Sequence, residues 1–235
     1  MRRAVPDTPK PTPSRPPLGA RLRRHWLVLA LAVACLLVEL VLAGAERGLW
    51  GSPRWRVLAY VNGGFWAGLL RAGWEGNFTA QPVTMFLSHP FLHAGLSHLA
   101  MNVVALLGLG ASVRARLAPG WAGSGGMAVL LAASSLGGGI GFAALGPLSQ
   151  PMVGASGVLF GLAGALLCWQ GRADRAAGRG LWASLGLAAA LMALNLVSAW
   201  MVNWQMAWEA HVGGFAGGAL AALAIRPRRP GSARG

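Results

Sequence analysis

Six apolar runs, at roughly residues 26–43, 94–113, 125–146, 153–171, 181–200 and 207–225, dominate the chain. Each is close to the ~20 residues that an α-helix needs to cross a hydrocarbon core about 30 Å thick. Such runs leave few folds open, because in lipid every backbone N–H and C=O must find its partner within the protein, and a helix does this internally. The expectation is an all-α, polytopic membrane protein with six transmembrane helices. Only 11% of the residues are charged, against about 25% in a soluble domain. A net charge of +14 would suit a nucleic-acid partner, but the basic residues lie between spanning runs and read as membrane anchors. No nucleic acid is expected; the lipid bilayer is the partner. Cys35 and Cys168 both fall inside apolar runs, make no disulfide framework and read as packing residues.

Three regions follow: a basic, Pro/Arg-rich disordered cytoplasmic tail (1–25), the six-helix membrane domain (26–225) and a basic cytoplasmic C-terminal tail (226–235). A secretory signal is the competing reading of the N-terminus, but no small-residue cleavage site follows the first run, so that run reads as an uncleaved span. A long first outer loop, about 44–92, is rich in Trp, Gly and Pro; loops this long are often functional, and its tryptophans suit the membrane interface. Sixteen of the twenty Lys and Arg residues fall on one side of a six-span topology, the exceptions being Arg47, Arg54, Arg56 and Arg71 in the first loop. Positive-inside asymmetry then places both termini in the cytoplasm and the protein in the cell (inner) membrane.

With that topology, spans two, four and six all enter from outside, and each carries its unusual polar residues near its beginning. Span two has His98 and Asn102, preceded by His89 and His93, in HPFLHAGLSHLAMN; span four has Ser156; span six has His211. At 1.5 Å per residue, Ser156 and His211 lie about 5–8 Å below the outer surface and Asn102 about a turn deeper. Spans three and five offer no histidine. Polar groups at membrane depth are costly and usually line a cavity.

Taken singly, each has a plainer reading. Ser156 in PMVGASGVLFGLAGALL could be a small residue letting helices touch. His211 could be a buried, hydrogen-bonded imidazole, and His98 and Asn102, four apart on one face, could bridge helices. His89, His93 and His98 could ligate a metal, but Pro90 interrupts their helical spacing and no cysteine accompanies them, so no metal and no cofactor is expected. Random packing, however, would not sort these residues by the parity of their spans. Gly157, Gly161 and Gly164 stripe span four, and Gly214 and Gly218 form a small-xxx-small face on span six. If those faces meet, Ser156 and His211 come within hydrogen-bond reach.

A serine hydroxyl needs an adjacent base, and neutral histidine titrates in the useful range. Glu209, two residues from His211, is expected on another face and near water, so the arrangement reads as a Ser–His dyad without a carboxylate. Ser156 at a helix start has spare backbone N–H groups and the positive dipole end nearby. Those donors, with Asn102 and His98, could hold the oxyanion of acyl transfer, where each is typically worth about 100- to 1,000-fold in rate. Phe160, one turn on, could pack against the His211 ring.

HPFLHAGLSHLAMN, then GASG (Gly154–Gly157) with VLFG after it, then AHVGGFAGG, in this order over about 89–218, resemble the rhomboid intramembrane serine proteases. The resemblance implies a six-helix core of the rhomboid type. It implies Ser156 as nucleophile, His211 as general base, and His98, Asn102 and the Ser156 amide as oxyanion hole. Gly154, Gly157, Phe160, His93, Gly214 and Gly218 would support them. The implied substrates are transmembrane proteins cut at or just outside the outer surface. The chain departs from the family pattern in having Phe160 for a frequent tyrosine, Thr84-Met85 for a Trp-Arg pair, and Arg114 for an acidic residue. A catalytically silent rhomboid-like protein that binds membrane clients is the alternative, although such proteins usually lack the serine or the histidine. A transporter would need midplane sites in repeated halves, and no such repeat is evident. The client and the oligomeric state are not legible.

Overall fold

A computed structural model describes residues 17–203 and 205–228. Most of the N-terminal basic tail, and residues 229–235 of the C-terminal one, lie outside the described residues. The described chain holds nine α-helices, a short 3₁₀ turn and no strand. These are α1 (Leu18–Glu46), α2 (Trp55–Gly63), α3 (Gly68–Arg71), α4 (Gln81–Ser88), the 3₁₀ turn His89–Phe91, α5 (Leu96–Arg116), α6 (Gly120–Leu145), α7 (Ser156–Ala176), α8 (Trp182–Met201) and α9 (Trp208–Ala224). Helices α1, α5, α6 and α8 are long and apolar enough to cross a membrane. The chain is an integral, multi-pass membrane protein.

Helix α1 begins at Leu18, so residues 18–25, expected in the disordered tail, are helical. The physical reason is that Pro17 ends the proline-rich stretch, and the following Leu, Ala and Arg residues are good helix formers.

Helices α6, α7 and α9 form the tightest part of the bundle, and glycine makes it so. A methyl on Gly214 would fall on the Gly157 carbonyl, one on Gly218 on the Gly161 carbonyl, and one on Gly164 on the Phe215 carbonyl. On the other side of α9, methyls on Gly213 and Gly217 would strike the carbonyls of Gly137 and Ala133 on α6. Helix α9 is therefore held backbone to backbone between α6 and α7. One apolar cluster, including Val28, Leu106, Leu130, Leu162 and Trp169, fills the space among α1, α5, α6 and α7. The Trp169 indole donates to the Ala222 and Ile225 carbonyls, both at 3.0 Å, closing the end of α9.

The stretch between α1 and α5 is built, not slack. Gln81 donates to the Val61 carbonyl at 2.6 Å and accepts from the Asn77 amide at 2.7 Å. Arg71 donates to the Ala144 carbonyl at 2.9 Å and to the Gly146 carbonyl, capping α6. Phe65 and Met152 exchange two 2.9 Å backbone hydrogen bonds, tying this stretch to the segment that leads into α7. Phe65 and Met85 pack with Phe142, Met152 and Ala210 in a second apolar cluster.

Candidate active site

The residues that the sequence sets at one depth come from the starts of three helices. Ser156 is the first residue of α7, His211 the fourth of α9, and His98 and Asn102 lie in the first two turns of α5. The tight α7–α9 contact puts Ser156 Oγ 2.7 Å from His211 Nε2. Phe160 stacks on the His211 ring, with centroids 4.3 Å apart and planes within 5°.

Behind the imidazole stands a residue that sequence reasoning did not single out. Asn195 Oδ1 of α8 lies 2.6 Å from His211 Nδ1, while its Nδ2 donates to the Trp208 carbonyl at 3.2 Å. An amide whose nitrogen is spent on a carbonyl must present its oxygen to the ring, so Nδ1 carries the proton and Nε2 is the acceptor for the Ser156 hydroxyl. Asn195 and Ala199 are the buried residues of α8. The signal for Asn195 was present, as a lone amide inside the apolar run LMALNLVSAW.

His98 Nδ1 accepts the Ala94 amide at 3.2 Å, which assigns the ring proton to Nε2. That edge faces Gly154: a methyl there would lie 3.0 Å from His98 Nε2 and 3.9 Å from Ser156 Oγ. Gly154 also has φ +119°, a conformation that side chains with a Cβ rarely adopt, so glycine is needed twice over. Asn102 is buried and donates to the His98 carbonyl at 2.9 Å, leaving its second amide proton available. Being the first residue of α7, Ser156 has a backbone N–H outside the helical ladder.

The other two histidines of the span-two motif are brought near but not into this contact. His93 is fully buried, meets the His98 ring edge to face at 5.2 Å, and has no hydrogen-bond partner at either ring nitrogen among the described residues. His89 packs on Phe65 and lies 3.5 Å from Ser135 Oγ, while its carbonyl accepts the Gly154 amide at 3.0 Å. Burial pushes both imidazoles down to about 4.

Glu209 is a correction. Expected near water, it is only 6% exposed, with Oε2 unpartnered among the described residues. The reason is the glycine packing: Gly141 of α6 lets the first turn of α9 approach so closely that a methyl there would strike the Glu209 carbonyl. Both ring nitrogens of His211 are taken up by Asn195 and Ser156, not by Glu209.

Arg56 holds the loop before α5. Its guanidinium grips the buried Glu39 carboxylate at 2.9 and 3.0 Å, reaches Glu46 at 2.6 and 2.9 Å, and donates to the His93 carbonyl at 2.9 Å. The Tyr60 hydroxyl donates to the same carbonyl at 2.7 Å. The hydrogen bonds to Glu39 and then Glu46 raise the Arg56 pKa above its ordinary value.

A model of the rhomboid domain matches residues 80–228. No curated protein sequence matches the chain. The matched region takes in α5 to α9 with Ser156, His211 and the paired glycine faces, and well over half of the sequence; the chain belongs to the rhomboid family.

Proposed function

We propose that the protein is an intramembrane serine endopeptidase that cuts transmembrane protein substrates at or near the outer membrane face. The observation that carries this reading is the hydrogen-bonded series Ser156–His211–Asn195. Ser156 Oγ attacks the scissile carbonyl carbon as its proton passes to His211 Nε2. Negative charge gathers on the carbonyl oxygen, where His98 Nε2–H, the Ser156 amide and the second Asn102 amide proton are the available donors. Collapse of the intermediate breaks the C–N bond, and His211 returns the proton to the leaving amine. Water then attacks the acyl carbon as His211 takes its proton, the acyl C–Oγ bond breaks, and His211 returns the proton to Ser156 Oγ, releasing the carboxylic acid. Asn195 touches no substrate; it keeps the ring in the tautomer and orientation that the proton transfer needs.

In this reading the four long apolar helices are joined by α7 and α9 as spans. Helix α9, 17 residues long, gives its glycine faces to α6 and α7 and leaves Val212, Leu220 and Leu223 exposed for lipid. Both termini are cytoplasmic and the membrane is the cell (inner) membrane. The first-loop arginines that break the charge asymmetry are mostly committed to structure: Arg56 to Glu39 and Glu46, Arg71 to the end of α6, and Arg47 to the Ala43 carbonyl.

The test is cleavage of a single-span substrate in liposomes by wild type, Ser156→Ala and His211→Ala, with fluorophosphonate labelling alongside. Wild type should cleave and label, and each variant should lose cleavage. Full cleavage by either variant overturns the proposal, and a wild type that neither cleaves nor labels would be a client-binding protein instead.

A further inference from the structure

A cavity of about 890 Å³ opens between the start of α1, the end of α5 and the start of α6. It lies at the far end of the bundle from Ser156, since Arg114 follows Asn102 on α5 by about 18 Å of helix. Arg21, Arg23, Arg24, His25 and Arg114 line it, Trp26 and Trp121 form apolar walls, and among the described residues no carboxylate lines it.

Arg114 is only 2% exposed. Its guanidinium donates to the carbonyls of Arg24 (2.8 Å), Ala118 (2.7 Å) and Gly120 (3.4 Å). Arg24 in turn donates to the Arg114 carbonyl at 3.4 Å. Two guanidinium groups are thus clasped by each other's backbone, and no ion pair among the described residues reaches either one. Arg56 and Arg179 are answered by carboxylates, and Arg47, Arg71 and Arg172, held by carbonyls, are exposed to solvent; among the described residues Arg114 is the buried arginine. A buried guanidinium without a counter-charge is costly, so an anion belongs beside it. The turn is shaped around the group, since a methyl on Gly123 would strike the Ala118 carbonyl and Arg114 Nη1. Trp26 Nε1 donates to Ser124 Oγ at 3.3 Å, fixing one wall, and Trp121 stands 84% exposed at the rim.

We propose that this cavity binds the phosphate headgroup of an anionic phospholipid. Guanidinium forks match phosphate oxygens two at a time. The indole walls favour a lipid over a free anion, because a free anion would leave them without an apolar neighbour, whereas an indole beside a headgroup is at its preferred depth. A basic pocket between helix ends is the usual form of such a site. The bound lipid would tie α1 to the α5–α6 turn, and the site needs only the membrane, not the protease chemistry.

The test is the thermal midpoint of the purified full chain in neutral detergent, titrated with short-chain phosphatidylglycerol, short-chain phosphatidylcholine or inorganic phosphate. Phosphatidylglycerol should raise the midpoint saturably and the other two should not. Arg24→Gln should weaken its apparent affinity about fivefold, and Arg21→Gln with Arg24→Gln about 25-fold. Arg114 also braces the turn, so these α1 variants, which leave the brace intact, carry the test. Equal shifts with phosphatidylcholine, or an unchanged affinity in the double variant, overturn the proposal. A shift with inorganic phosphate equal to that with lipid overturns the lipid assignment in favour of a soluble anion. No outcome depends on proteolysis.

Discussion

Asn195 Oδ1 sits 2.6 Å from His211 Nδ1 while Asn195 Nδ2 donates to the Trp208 carbonyl at 3.2 Å, so the second bond dictates the sense of the first. Removing the amide frees the ring to flip or to change tautomer, and leaves a buried N–H unpaired. That penalty is about 1–3 kcal/mol, or about 5- to 150-fold in rate. Asn195→Ala should lower kcat by an amount in that range with KM little changed, and slow fluorophosphonate labelling of Ser156 in parallel. Asn195→Asp, which keeps the acceptor, should recover most of the labelling rate. An alanine variant that labels at the wild-type rate would remove Asn195 from the proposed mechanism.

Phe160 and the His211 ring lie nearly parallel at 4.3 Å. A contact of this kind is worth about 0.5–1.5 kcal/mol beyond its area, which here acts on the imidazole rotamer. Phe160→Ala should cut kcat about 2- to 10-fold, and Phe160→Tyr, which keeps the stack, should stay close to wild type. Equal activity of the two variants would show that the stack does not hold the ring.

Gly218 meets the Gly161 carbonyl so closely that any Cβ forces α7 and α9 apart, and Ser156 and His211 sit at the mouth of that contact. Overpacking typically costs about 1–3 kcal/mol. Gly218→Ala should therefore lower the thermal midpoint and activity together, although it touches neither reacting group. Gly186→Ala on α8, where a methyl would have nothing within 4 Å, is the control and should change neither. Wild-type activity in Gly218→Ala would mean that the helices can separate without parting the dyad.

Much of this was legible because the membrane restricts the vocabulary. Apolar length marked α1, α5, α6 and α8, and glycine spacing marked which faces of α7 and α9 would meet. Sorting ionisable groups by span parity gathered Ser156, His98 and His211. Asn195 is not legible from histidine placement alone, although any lone hydrogen-bonding group in an apolar run carries the same information. Glu39, inside LLVELVL, is a second case: a carboxylate there requires a partner, and Arg56 supplies it from the first loop. Helices α2 to α4 were not legible, since segments of nine residues or fewer are marginal alone and exist through tertiary contacts such as Phe65–Met152.

Acid should loosen the loop before α5. Burial holds His89 down to about 4, against 6.5 for an exposed imidazole. Between those values the unfolded chain binds a proton that the folded chain does not, so stability rises with pH across the window and is lost as pH falls through it. Thermal midpoints measured from pH 7 to pH 4.5 should fall for wild type and fall less steeply for His89→Leu, which has no imidazole to charge. Identical slopes would count against this assignment.

Arg56 and Glu39 form the buried ion pair that fastens α2 to α1, with side-chain exposures of 14% and 1%. Removing one member of such a pair strands the other charge and typically costs about 3–5 kcal/mol. Arg56→Ala should therefore lower the thermal midpoint markedly, and because the guanidinium also holds the His93 carbonyl, it should reduce activity as His98 loses its setting. Arg56→Lys should recover little, since one ammonium cannot reproduce a fork that reaches two carboxylates and a carbonyl. Adding Glu39→Gln to Arg56→Ala removes the stranded charge and should restore part of the midpoint but not the activity, because the His93 carbonyl then keeps only the Tyr60 hydroxyl of its two donors. Recovery of both together would mean that the pair serves stability alone.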